Sequence, residues 1–63
     1  MRITLKAARI NVNLKQVEAA ERIGVTKETI SSWESGKTFP PANKIPVICE
    51  TYKRTYDEID WMA

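Results

Sequence analysis

Lys27, Glu28, Thr29, Ser31 and Ser32 place five hydrogen-bonding side chains on the first turn and outer face of a predicted helix whose inner face carries Ile30 and Trp33. A helix face that is only solvated usually carries more long charged side chains. Short polar ones suit a face that lies close against another surface and bonds to it. That is the chemistry of recognition rather than of turnover. The chain contains no histidine and one cysteine, Cys49, so neither a Cys-His nor a Ser-His-Asp arrangement can be assembled, and a zinc site lacks ligands. With no nucleophile set beside an acid–base pair, an enzyme is not expected, and neither is a cofactor, a metal or a small-molecule ligand. Cys49 has no partner for an internal disulfide and reads as a small buried hydrophobe.

Two helices must hold that face, and the segment Ile23-Gly24-Val25-Thr26 separates them. Before it, Val17, Ala19, Ala20 and Ile23 predict a helix over residues 15–23 with one buried face. After it, Ile30 and Trp33 predict a second over residues 27–35, with Thr26 as N-cap and Gly36 as C-terminal stop. Gly24 takes a positive φ at no steric cost. Two short helices joined by a glycine-containing turn form the helix-turn-helix signature. The first of the pair begins badly. Lys15 stands at its N-cap, cannot accept a capping hydrogen bond, and sets a positive charge against the positive end of the helix dipole. Two readings stay open: a bound phosphate relieves the conflict, or Asn13 caps one turn earlier and Lys15 is simply exposed.

The flanking segments supply the remaining walls of a core. Leu5, Ala8 and Val12 predict a first helix over residues 3–12, with Lys6 and Arg9 outside that stripe and Asn11 and Asn13 marking its end. Leu14 then plugs the gap between the first two helices. Lys37-Thr38-Phe39-Pro40-Pro41 reads as an extended connection, because each proline excludes the helical conformation for the residue before it, and Phe39 is expected on the core. A fourth helix over residues 43–52 takes Pro46 in its first turn and turns Ile45, Ile48, Cys49 and Tyr52 inward. Thr55-Tyr56-Asp57-Glu58 has the form of a capping box, which opens a short fifth helix carrying Ile59, with Trp61 beyond it.

At 63 residues this is one domain, 1–63, of a size that buries only about 60% of its unfolded-chain surface. Hydrophobic residues at 43% and charged ones at 29% argue for a folded chain rather than a disordered one. No apolar run is long enough to cross a membrane and no signal-peptide pattern is present, so a soluble cytoplasmic protein is expected. Residues 1–49 hold eight Lys and Arg against four Glu, a balance of +4; residues 50–63 hold Lys53 and Arg54 against Glu50, Asp57, Glu58 and Asp60, a balance of −2. A mildly basic body with an acidic tail suits a polyanionic partner, although a solvated surface would read the same on charge alone.

Laid out in this way, the chain resembles the helix-turn-helix family of lambdoid phage repressors, Cro proteins and their bacterial relatives. The resemblance runs through Leu14-Lys15-Gln16, Ala20, Ile23-Gly24-Val25-Thr26, Thr29-Ile30-Ser31, Trp33-Glu34, Gly36-Lys37 and Pro40, at the family's spacing and without insertion. It implies an all-α, compact bundle of about five short helices, lambda-repressor-like, in which helix three enters the DNA major groove and helix two crosses the backbone. By the same resemblance Lys27, Glu28, Ser31 and Ser32 read bases. Lys15, Gln16, Thr26, Thr29, Lys37 and Thr38 position the backbone, and Arg9 and Glu34 form a structural pair between helices one and three. Lys donates to the O6 and N7 acceptors of guanine and Glu accepts from the cytosine amino group, so Lys27 and Glu28 can read adjacent positions. Lys15 departs from the family's usual Ser, Thr or Asn, and Pro46 from a common aliphatic residue.

Two functions of different class follow. The first is a sequence-specific DNA-binding regulator of phage or prophage type, in a bacterial cell, with double-stranded DNA as partner and a homodimer on a two-part operator. The second is a protein-interaction adaptor, antirepressor or antitoxin-like, on the same fold. Tyr56, Ile59, Trp61 and Met62 are the material for a dimer surface; closure of the core is the other use for them.

Overall fold

The computed structural model of the chain describes residues 1–62. Four α-helices, α1 (Leu5–Asn11), α2 (Gln16–Ile23), α3 (Lys27–Glu34) and α4 (Ile45–Tyr52), are bracketed by two short strands, β1 (Ile3–Thr4) and β2 (Ile59–Asp60). The strands pair in parallel, Ile3 opposite Ile59 and Thr4 opposite Asp60. A parallel pair needs a crossover, and here all four helices form it.

Local chemistry sets most boundaries. Thr4 ends β1 and caps α1, its Oγ1 accepting from the Ala7 N–H at 3.0 Å. Asn13, at φ 59°, turns the chain out of α1 in the left-handed region that asparagine tolerates. Gly24 closes α2 at φ 87° and Gly36 follows α3 at φ 80°. A Cβ on Gly24 would meet the Lys44 Nζ at an ordinary 3.6 Å, so the torsion rather than the space requires glycine there. Residues Ala42–Lys44 form a 3-10 turn that runs into α4, whose first turn accommodates Pro46.

The core draws on all four helices and β2: Leu5 and Ala8 of α1, Ala19, Ala20 and Ile23 of α2, Ile30 and Trp33 of α3, Ile48 and Tyr52 of α4, and Ile59 of β2, with Leu14 buried between α1 and α2 and Ile3 of β1 packed against this core. Ile30, Ile48 and Ile59 are the largest fully buried side chains. Each contributes about 1.5–3 kcal/mol through burial, so the short β2 supplies one of the three largest anchors of the core.

Several expectations are corrected. The bundle has four α-helices rather than five. Glu58 does accept from the Thr55 N–H at 2.8 Å, but the Thr55 hydroxyl donates to Asp57, and the segment makes only a 3-10 turn, Tyr56–Glu58. β-branched Ile59 then extends to φ −107°, ψ 134° and finds its backbone partners on β1. Residues 3 and 4 leave the predicted first helix for the same pairing. Val17 is 52% exposed, because at helical spacing it lies roughly 115° from the centre of the Ala19, Ala20 and Ile23 stripe. Phe39 is also 52% exposed. Lys37, Thr38 and Phe39 are all exposed, and the chain is partly covered again only at Pro40. Ile59 closes the core, Trp61 packs against it and stacks on Tyr56, and Tyr56 and Met62 remain exposed.

Candidate nucleic-acid interface

Packing of Ile30 and Trp33 into the core fixes which way the rest of α3 faces. Glu28, Ser31, Ser32 and Ser35 fall at i, i+3, i+4 and i+7 and form a polar stripe on the opposite side. With Gln16, Lys27 and Lys37 they line one open groove of about 300 Å³. Among the described residues, the side chains of Lys27, Glu28, Ser31, Ser32 and Lys37 take part in no hydrogen bond and no ion pair, so their donors and acceptors point outward unused.

Behind the groove lies a hydrogen-bonded network centred on Arg9 and Glu34. Arg9, 7% exposed, donates from Nε to Glu34 Oε2 at 2.6 Å, from Nη2 to Oε1 at 3.2 Å, and from Nη1 to the Leu14 carbonyl at 2.8 Å. One guanidinium therefore joins α1, the α1–α2 connection and the end of α3. Gln16 Nε2 donates to the same Glu34 Oε1 at 3.0 Å, which ties the start of α2 to α3 and leaves its second amide N–H free. The hydrogen bond to Glu34 holds the Arg9 pKa above its usual value, against desolvation acting the other way. Tyr52 is pushed up to about 12, first by burial and then by the charge of Glu34.

The helix starts differ. Thr26 closes the first turn of α3, Oγ1 accepting from the Thr29 N–H at 3.2 Å, and the two hydroxyls share a hydrogen bond at 2.9 Å. Lys15 occupies the N-cap of α2 with no side-chain capping bond; its own N–H is taken by Glu18 Oε1 at 2.7 Å. Asn13 does not cap α2, since it is the residue that turns the chain out of α1. Thus Gln16, Lys27, Glu28, Ser31, Ser32 and Lys37 are brought together in the groove, whereas Lys15, Thr26, Thr29 and Thr38 lie outside its lining. Thr38 remains close by sequence, its N–H bonded to the Ser32 carbonyl at 3.4 Å.

Two participants escaped the sequence reading. Ser35 continues the i, i+3, i+4, i+7 stripe, a signal obscured by its place at the helix end. Lys44 donates from Nζ to the Ile23 carbonyl at 3.4 Å, a cation at the negative end of α2 beside Gly24, and nothing local marks that contact.

A family model described as "Helix-turn-helix" matches residues 5–59. The chain belongs to the helix-turn-helix family. Its pair of helices is α2 and α3, joined through Gly24. Among curated helix-turn-helix proteins, the HTH-type transcriptional activator BcrR of Enterococcus faecalis is 36% identical over 55 residues, covering 87% of this chain and 27% of that protein. The chain thus spans about a quarter of that relative's length. No solved structure gives a significant match. No helix of the described residues is long and apolar enough to cross a membrane.

Proposed function

We propose that the chain is a sequence-specific DNA-binding regulator of transcription, repressor or Cro-like and of phage or prophage type, that lays α3 in the major groove of double-stranded DNA. The observation that carries this reading is the groove, where unpaired hydrogen-bonding side chains stand on a helix face held rigidly from behind. Lys27, Glu28, Ser31 and Ser32 meet base edges, and Lys27 and Glu28 supply the donor and acceptor that distinguish guanine from cytosine. Gln16 uses its free amide N–H on a phosphate while the other stays on Glu34, so the same side chain registers α2 on the backbone and braces α3. Lys15, at the start of α2 and with a side chain that caps nothing, suits a second phosphate contact beside the Glu18 carboxylate that holds its N–H. Lys37 and Thr38 meet the backbone beyond α3, and Thr26 and Thr29, outside the groove lining, fix the first turn of α3 that presents Lys27 and Glu28.

With few basic residues on the face, one copy binds weakly, and a dimer on two half-sites one helical turn apart raises the affinity. Occupancy of an operator that overlaps a promoter is enough for repression. A promoter–reporter assay reads the direction, with lower output expected.

The decisive experiment is selection of binding sites from random duplexes at low salt. A two-part motif is expected. Lys27→Ala and Glu28→Ala shift the enriched bases, and Gln16→Ala weakens all selected sites alike. A chain that retains no duplex under these conditions overturns the proposal and leaves the adaptor reading in its place.

A further inference from the structure

Phe39 is one of several large apolar side chains that the core leaves exposed. Single exposed apolar side chains are ordinary on protein surfaces. What separates this one is its neighbourhood. Lys37, two residues earlier, lines the α3 groove, and the loop leaves α3 under tight control: the Lys37 and Thr38 N–H groups both bond the Ser32 carbonyl, at 3.0 and 3.4 Å. Pro40 and Pro41 then restrict the backbone on the other side, so the ring is presented outward from a stiff segment at little further entropic cost. Two residues of chain reach at most about 7 Å. One DNA strand carries a phosphate about every 3.4 Å along the axis. A Lys37 set on a phosphate therefore leaves Phe39 within about two nucleotides of it.

We propose that Phe39 is an apolar DNA-contacting residue, its ring packing on the deoxyribose faces of the strand whose phosphates Lys37 and Thr38 meet. The inference rests on the proposed DNA binding and adds to it a contact of different chemistry. Sugar C–H surface is the apolar part of the nucleic-acid backbone, and a phenyl ring that covers it gains from removing water without neutralising charge. Its signature is affinity without salt dependence. Lys37→Ala flattens the slope of log affinity against log salt by about 0.9, as one phosphate contact does, whereas Phe39→Ala lowers affinity without changing the slope.

The test measures binding to the selected duplex across a salt series for the wild-type chain, Phe39→Ala, Phe39→Leu and Lys37→Ala, with sedimentation of each protein alone and a thermal melt as folding control. Phe39→Ala is expected to weaken binding about five- to tenfold at every salt concentration, and Phe39→Leu to retain most of the affinity. The melt of Phe39→Ala is expected to match wild type, because the ring is half exposed in the folded chain. Equal affinity of Phe39→Ala and wild type overturns this proposal alone and leaves the proposed function standing; a wild-type chain that binds no duplex overturns both. A change in the slope for Phe39→Ala, or a loss of self-association in sedimentation, assigns the ring to another role and also overturns it.

Discussion

Along α3, Ile30, Trp33 and Glu34 point one way and Glu28, Ser31, Ser32 and Ser35 the other, their mean directions roughly 155° apart around the helix axis. On the inner side the carboxylate of Glu34 accepts from Arg9 and from Gln16, and among the described residues no buried side-chain nitrogen or oxygen lacks a partner. On the outer side the side-chain polar groups of Glu28, Ser31 and Ser32 have no partner among the described residues. The eight residues of one helix thus satisfy their polar groups inward and leave them open outward. Because an unpaired polar group is costly only when buried, the two faces can be set independently: the inner one carries the stability of the domain and the outer one is free to carry recognition.

The largest test of that division removes one partner on the inner side. Arg9→Met leaves the Glu34 side chain, 6% exposed, without its cation. The expected loss is about 3–5 kcal/mol, a large part of what holds a small domain together, read as a lower urea midpoint. Replacing both residues, Arg9→Met with Glu34→Leu, is expected to recover more than half of the loss, because no buried charge remains. If Arg9→Met costs less than about 1 kcal/mol, the inner network is no more structural than a surface pair, and the contrast between the faces fails.

A smaller effect is read from pH. Tyr52 packs on the same inner side, and its pKa is raised from 10.0 to about 12 by burial and by the charge of Glu34. Below pH 10 the folded and unfolded chains both keep the phenolic proton. Between pH 10 and 12 the unfolded chain has released it while the folded chain retains it, so folding takes up a proton and stability falls as pH rises. The loss amounts to roughly 2.5–3 kcal/mol across that window and flattens above it. Denaturation midpoints measured from pH 9 to 12 are expected to show this decline in the wild-type chain and a shallower one in Tyr52→Phe. Equal slopes would mean that Tyr52 does not sense the inner face.

What the sequence made legible about this architecture was whatever is written within one or two turns. Gly24, Thr26 and the helical spacing of Ile30 and Trp33 place α2, the turn and α3 within a residue or so of their observed bounds, and Pro46 places α4 within two, the expected start at residue 43 falling in the 3-10 turn Ala42–Lys44. The pairing of β1 with β2 joins distant parts of the chain, so residues 55–58 carried only their local signal, a helix start, and the strand that overrode it was invisible. Phe39 was misjudged for a related reason: its type favours the core, but which way a loop residue faces depends on where the loop is anchored, and the Lys37 and Thr38 N–H groups anchor it on the Ser32 carbonyl. Arg9 and Glu34, 25 residues apart, entered through resemblance to known repressors and not through any spacing. Of the groove lining, six of the seven residues were named from sequence, Ser35 being the exception. Lys44 was missed because a side chain reaching the Ile23 carbonyl leaves no local pattern.

The smallest expected effect is also the sharpest, because its sign is opposite for the two properties. Ser31 sits in the middle of α3, exposed, lining the groove and bonded to nothing among the described side chains. Alanine has a higher helix propensity than serine, since the serine hydroxyl competes for backbone hydrogen bonds in other conformations. Ser31→Ala is therefore expected to raise stability by a few tenths of a kcal/mol, within about 0.5, rather than lower it. It also deletes a donor and an acceptor from the outward stripe, so affinity for the selected duplex is expected to fall while the urea midpoint holds or rises. A residue kept at a cost to stability is kept for something outside the fold. Parallel denaturation and binding curves on the one variant decide the point, and a destabilisation above about 1 kcal/mol would show that the outer face also holds the domain together.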